Sequence, residues 1–367
     1  MLTLTKRPTS EHVPASRLRA RQAAPVGIDI GSHAIKWAQV VPEAGGWRLT
    51  EAHIIPWVGS QSLDHQSLVN GDLRTALRAA TIAPPSRTAA CTLSMALTEL
   101  RSLDLPAGSP DELRQMAYNE LADGLGEAQL ELMLWPTPRA DGEAGTISVT
   151  ALALPTATAL AVAEDLLAER LRCRLLTALP YALAKAVTMA DPSARATPVA
   201  VLDWGGATPS LTVVQHGRPV FTRLLRDCGA ARVAEAVSQL LQLSTAEAWG
   251  LLGALGDNTL RRSGPDQRSP LADRVVEAAR GATKPLLQQL ERTRAFLRQQ
   301  FADLVPQRVW IVGAGALLQP FFPAISTAIG AEVQPWRLPT SQPSVADDPM
   351  QAVLAAAIGM SALGGDA

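Results

Sequence analysis

One pattern constrains this chain more than any other, and it occurs twice. A short apolar run ends in Asp-x-Gly, small or hydroxylated residues follow, and a second apolar stretch comes after them. The first copy is Val26-Gly27-Ile28-Asp29-Ile30-Gly31-Ser32. The second is Val199-Ala200-Val201-Leu202-Asp203-Trp204-Gly205-Gly206-Ala207-Thr208. A single Asp-x-Gly turn is common. Two copies, with aspartates 174 positions apart and each opening a three-strand pattern, predict similar half-domains facing each other.

Such turns suit phosphate. A strand that ends in a tight turn exposes backbone N–H groups, and a glycine there lets the main chain approach an anion closely. Gly31 and Ser32 supply these donors in the first copy, with Lys36 on the following strand to neutralise phosphate charge. Asp29, at the strand end, is suited to hold Mg²⁺ through water, since magnesium keeps several waters and takes few protein carboxylates. In the second copy Asp203 is another carboxylate for the metal, and Gly205, Gly206, Ala207 and Thr208 form a second phosphate loop. A later glycine turn, Gly313-Ala314-Gly315, stands between a strand and a helix and offers flat backbone to an adenosine. ATP with Mg²⁺ is the expected ligand. His33 reads as a solvent-facing turn residue, and the other histidines show no metal-ligand spacing.

At 367 residues the chain is long enough for two lobes, and 47% hydrophobic with 18% charged residues fits globular domains. A formal net charge of −1 gives no global attraction to nucleic acid or an anionic membrane. Cys91, Cys173 and Cys228 lack paired spacing and read as small buried hydrophobes of a reducing compartment. No apolar stretch reaches the ~18 residues of a membrane span, and no signal-peptide core opens the chain.

The pattern divides as follows. Residues 1–24, basic and interrupted by proline, read as a disordered tail. Residues 25–87 begin the first lobe, with strands over 26–30, 35–41 and 47–55 and a helix over 68–80. Residues 88–147 read as a small α+β insertion, whose helix starts at a Ser109/Glu112 capping box. The first lobe resumes over 148–190. The second lobe covers 191–345, with strands over 198–203, 210–214 and 219–225 and a helical subdomain over 236–304, whose long helix Pro285 is expected to kink or split. A strand over 308–312 leads through the glycine turn to a helix over 317–329. Residues 346–367 return as an alanine-rich helix.

These motifs resemble the actin/Hsp70/sugar-kinase ATPase superfamily. With Arg101…Leu105-Pro106, a helix bearing Glu120, Phe221-Thr222-Arg223, Gly229 and Ile358-Gly359-Met360, their order is similar to its FtsA/PilM branch, whose PilM-like members serve type IV pilus assembly. The resemblance implies an α/β, actin-like (ribonuclease H-like) duplicated two-lobe fold with an inserted α+β subdomain. It implies that Glu247, in Ala246-Glu247-Ala248-Trp249-Gly250, approaches the nucleoside, although the lysine usual at the last position is missing. Leu179, in Leu179-Pro180-Tyr181-Ala182, stands where relatives often carry a carboxylate, so ATP hydrolysis is expected to be slow or absent. The implied partners are the cytoplasmic N-terminal segment of a PilN-like membrane protein, docked between insertion and first lobe, a pilus motor ATPase, and a second copy of the chain. The implied location is cytoplasmic, at the inner membrane through those partners. A sugar kinase and a filament-forming FtsA-like protein are the alternatives. No motif marks a kinase's catalytic aspartate, and 363–367 is not an amphipathic membrane helix.

Overall fold

Strand β1 (Val26–Ile30) is buried along its whole length, as befits a central strand covered on both faces. The computed structural model describes residues 24–58, 63–82, 85–125, 129–138, 145–256, 270–340 and 348–366. β1 pairs antiparallel with β2 (Ala34–Glu43), which turns at Gly45, in the left-handed region, into β3 (Gly46–Pro56). Two short helices follow, α1 (His65–Val69) and α2 (Asp72–Ala80). The single helix expected over 68–80 is broken because Gly71, at φ 89°, ends one turn and caps the next. β4 (Thr88–Leu93) then pairs parallel with β1.

The insertion comes next. β5 (Glu99–Pro106), β6 (Leu130–Pro136) and β7 (Thr146–Pro155) form an antiparallel sheet in the order β5-β7-β6, against which α3 (Pro110–Leu125) packs. The capping box is formed: Ser109 N–H donates to the Glu112 carboxylate at 2.7 Å, and Glu112 N–H donates back to Ser109 Oγ at 3.4 Å. Sheet membership moves the expected boundaries of 88–147. β4 belongs to the first sheet because it pairs with β1, and the inserted sheet continues to Pro155.

Helix α4 (Thr156–Ala168) leads to β8 (Arg172–Thr177), which completes the first sheet as β3-β2-β1-β4-β8. Helix α5 (Leu179–Ala190) crosses to the second lobe. There β9 (Val199–Asp203), β10 (Ser210–Gln215) and β11 (Arg218–Leu224) repeat the opening meander, with His216 and Gly217 both at positive φ in the hairpin turn. Helices α6 (Ala230–Leu241), α7 (Thr245–Gly256) and α8 (Pro270–Gln300) follow. α8 stays one helix through Pro285, so the expected split does not occur; its buried face, including Leu286, Leu290 and Leu297, is continuous across the proline.

β12 (Arg308–Val312) and β13 (Glu332–Pro335) finish a sheet of order β11-β10-β9-β12-β13. Order and strand directions match the first sheet, so the duplication is real. β13 had no sequence signal, being four residues at an edge, one exposed and three half-buried. The helix expected over 317–329 begins only as α9 (Phe322–Ile329), because 3-10 turns containing Pro320 occupy the start. A one-turn helix, Met350–Val353, precedes α10 (Ala355–Asp366). α10 lies on the first sheet so closely that a Cβ on Gly27 would fall 1.9 Å from the Ala357 carbonyl oxygen. Ser361 Oγ accepts from Val40 N–H at 3.0 Å and donates to Pro25 O at 2.8 Å. The basic tail, save Ala24, the turn over 139–144 and the polar loop over 257–269 lie outside the described residues.

Candidate functional site

Because β1 and β9 occupy equivalent central positions, the two Asp-x-Gly turns leave equivalent ends of their sheets. They meet across one cavity of about 430 Å³, lined by both turns. Asp29, Gly31, Ser32 and Lys36 come from the first lobe; Asp203, Gly205, Gly206, Ala207 and Thr208 come from the second. The turns touch: a Cβ on Gly206 would fall 2.3 Å from His33 Nδ1. His33, hydrogen-bonded to Ser32 Oγ at 3.0 Å, is exposed as expected, yet it also lines the cavity mouth.

The cavity's charges are few and coupled. Lys36 Nζ lies 2.6 Å from Asp29 Oδ2, so its ammonium is already engaged by the neighbouring strand. Burial pulls the Lys36 pKa down, but Asp29 and then Asp203 outweigh it and hold the pKa above its ordinary value. Asp203 is half-buried and lines the cavity. Burial pushes its carboxyl up to about 7, Lys36 pulls it down, and Asp29 adds to the rise. His33 is lowered by burial, with Glu235 opposing and Lys36 adding to the fall, which favours a neutral imidazole.

Behind the second turn, α6 starts against it. Ala230 N–H donates to Gly205 O at 2.9 Å and Ala231 N–H to Gly206 O at 3.1 Å. Ala231 also lines the cavity, so the positive end of the α6 dipole faces it. Trp204, fully buried, donates its indole N–H to Cys228 O at 3.0 Å, and Gly315 packs on its ring. Gly313, at φ 75°, packs against Asp203: a Cβ there would fall 2.7 Å from Oδ1. Of the late glycine turn, then, Ala314 reaches the cavity while Gly313 and Gly315 support the second turn from behind.

Glu247 is not brought to the cavity. Its carboxylate accepts from Ser244 N–H at 2.8 Å and Ser244 Oγ at 2.6 Å, capping α7 at an exposed position. The signal was legible, since Ser244 and Glu247 have capping-box spacing. The same helix instead offers Trp249, which lines the cavity with Ile54, Leu317, Met350 and Val353. A lining that combines apolar side chains and one aromatic ring with charged and glycine-turn residues suits a base joined to a charged tail. Trp249 is also the residue that the motif reading passed over. Leu179, the first residue of α5, lines the cavity where a proton acceptor was expected to be missing.

The residues present fit a magnesium–nucleotide. Two carboxylates, a lysine and two glycine turns surround one space, and Gly206 lets the second turn close against the His33 ring. Among the described residues no group of three His, Cys, Asp or Glu could hold a metal by itself. A cation here would draw on Asp29 and Asp203 and otherwise on water and phosphate.

A second cavity, of about 400 Å³, lies between insertion and first lobe. Its walls include Met133 of β6, Leu160 of α4 and Cys173 of β8, with Glu131 and Arg174 as its charged residues. β6 and β8 are each the edge of their sheet. No helix among the described residues is long and apolar enough to cross a membrane.

Duplicated five-stranded sheets with an inter-lobe cavity and an inserted subdomain define the actin-like two-lobe fold. A chain of the solved PilM–PilN type IV pilus biogenesis complex shares it, with a TM-score of 0.71 and 19% identity over 94% of this chain and 99% of that one. This protein therefore has a PilM-like fold. The ethanolamine utilization protein EutJ from Carboxydothermus hydrogenoformans is a more distant likeness, with a TM-score of 0.50 and 15% identity over 92% of this chain and 88% of that one. No family model matches the sequence, and no curated protein does.

Proposed function

We propose that this chain is a nucleotide-binding assembly protein of a type IV pilus or related secretion system, acting at the cytoplasmic face of the inner membrane. It clamps Mg-ATP between its lobes and docks an extended membrane-protein segment between insertion and first lobe. One observation carries the reading: the two Asp-x-Gly turns, far apart in sequence, converge on a single cavity.

In this reading Ser32 and the 205–208 turn donate to the phosphate tail, while Gly31, whose N–H is given to Ala34 O at 3.1 Å, shapes the first turn without donating, and the start of α6 adds partial positive charge. Asp29 and Asp203 hold Mg²⁺ through water. Lys36 shifts its ammonium from Asp29 toward phosphate, which leaves Asp29 free for the metal's water shell. Trp249 and Ala314 flank the base. A bound Mg-nucleotide would supply the charge that both turns face. Leu179 can neither take a proton nor orient a water, so turnover is slow or absent, and the protein works by holding nucleotide.

The docking partner is the cytoplasmic N-terminal segment of a PilN-like membrane protein. The fold shared with a chain of the PilM–PilN complex supports this, as does a groove walled by apolar side chains between two sheet edges. A pilus motor ATPase and a second copy of the chain are further proposed partners.

The test is thermal denaturation. Mg-ATP raises the melting temperature of the wild type, and Asp29→Asn with Asp203→Asn removes the rise. The same rise in the double variant would rule out this site.

A further inference from the structure

We propose that Cys173 and Cys91 form a redox site on the groove wall, where a hydroperoxide oxidises the Cys173 thiol and Cys91 captures the product as a disulfide. The site does not depend on the nucleotide reading.

Adjacent strands bring the two thiols together. β4 and β8 run parallel, with Ala89 opposite Cys173 and Cys91 two residues further along β4. Residues two apart on a strand share a face, so both cysteines point the same way. They belong to one apolar cluster with Leu93, Val162 and Leu166, and their thiols are hydrogen-bonded to each other. Their exposure differs. Cys91 is fully buried, whereas Cys173 is half-buried and lines the groove beside Ala159 and Leu160 of α4. The burial expected of all three cysteines thus holds for Cys91 and Cys228 and not for Cys173.

The contact gives each sulfur a different task. The hydrogen bond from Cys91 holds the Cys173 thiol below its ordinary range, against burial, which raises it, and the Leu175 backbone adds to the fall. The same bond, together with burial, pushes Cys91 well up. A thiolate is the nucleophile, so the attacking sulfur is the one that opens onto the groove. Cys91 stays protonated and, being buried, out of an oxidant's reach. Cys173 attacks the terminal oxygen of the hydroperoxide: the S–O bond forms as the O–O bond breaks, and the sulfur gives up two electrons. The alkoxide or hydroxide released takes a proton from water. The Cys91 sulfur then attacks the sulfenic sulfur; the S–S bond forms, the S–O bond breaks, and the hydroxyl leaves as water with the Cys91 proton. The disulfide ties β8, an edge strand, to β4 and removes a thiol from the groove wall. A dithiol reduces it again, as with the transient, sensing disulfides of reducing compartments.

The experiment treats the full chain with hydrogen peroxide, then with N-ethylmaleimide, and maps peptides by mass spectrometry without reductant. We expect a Cys91–Cys173 cross-linked peptide that dithiothreitol removes, with Cys228 left as the alkylated cysteine. In Cys91→Ala the sulfenic acid has no partner and should persist. Dimedone should then label Cys173 at least about tenfold over Cys228, which is buried and whose thiol burial pushes up. A disulfide that includes Cys228, or a Cys91–Cys173 cross-link no more abundant than in the chain unfolded in urea, overturns the site. Equal dimedone labelling of Cys173 and Cys228 overturns Cys173 as the nucleophile. The wild-type cross-link is read without any variant, so it decides the site even if Cys91→Ala fails to fold.

Discussion

Asp203 unfolds with a carboxyl that titrates at its ordinary value of 3.8 and folds with one pushed up to about 7 by burial, against Lys36 and with Asp29. Between those values the folded protein keeps a proton that the unfolded chain has lost, so stability falls as pH rises through that window. Above it the whole penalty is present. Asp203→Asn, without ligand, should therefore raise the melting temperature clearly at about pH 8 and little at about pH 4.5; equal gains at both would contradict the assignment. Gly206 and His33 allow a second test. Gly206→Ala drives a methyl into the His33 ring and should abolish the Mg-ATP thermal shift, and adding His33→Ala should restore it. A double variant no better than Gly206→Ala would mean that the turns do not close on each other. Asp29, Gly31, Ser32, Lys36, Asp203 and the 205–208 turn were legible because strand-end motifs fix where backbone and carboxylate emerge. Lys36 on Asp29 was not, since pairing depends on which strand lies alongside. Trp249 was hidden for a similar reason: which face of α7 meets the cavity is decided by its packing, not by its own pattern.

Helices and strands were legible where one local rule governed them, as at the Ser109 cap and in the two meanders. They were misread where two rules competed. Pro285 removes the bond to Gly281 four residues before it, yet α8 continues because its buried side packs through the break. The helix thus tolerates a residue it does not favour. Pro285→Ala should stabilise the protein by about 2 kcal/mol, read from denaturant unfolding, given the ~3 kcal/mol disadvantage of proline in a helix interior. A loss instead would mean that the proline relieves a clash with its neighbours. β13 was invisible because a four-residue edge strand has too little alternation to register.

Across the whole molecule, the duplication was readable because both copies carry the same order of elements, but their closure was not. Gly27, within the first motif, serves α10 as much as the turn: its missing side chain is where Ala357 and Ser361 fit. Gly27→Ala should cost more than about 3 kcal/mol or prevent folding, whereas Gly250→Ala, on an exposed helix face with nothing within 4 Å, should be neutral or gain up to about 1 kcal/mol. Expression yield and chemical denaturation would separate the two, and similar behaviour would deny the close packing of α10 on β1. The α10 contact has a consequence for synthesis. Ser361 bonds Val40 and Pro25 across sequence separations of 321 and 336 residues. A nascent chain on the ribosome therefore carries the apolar face of its first sheet uncovered while nearly all the rest is translated, and that sheet becomes a finished domain only when residues 355–366 emerge to cover it.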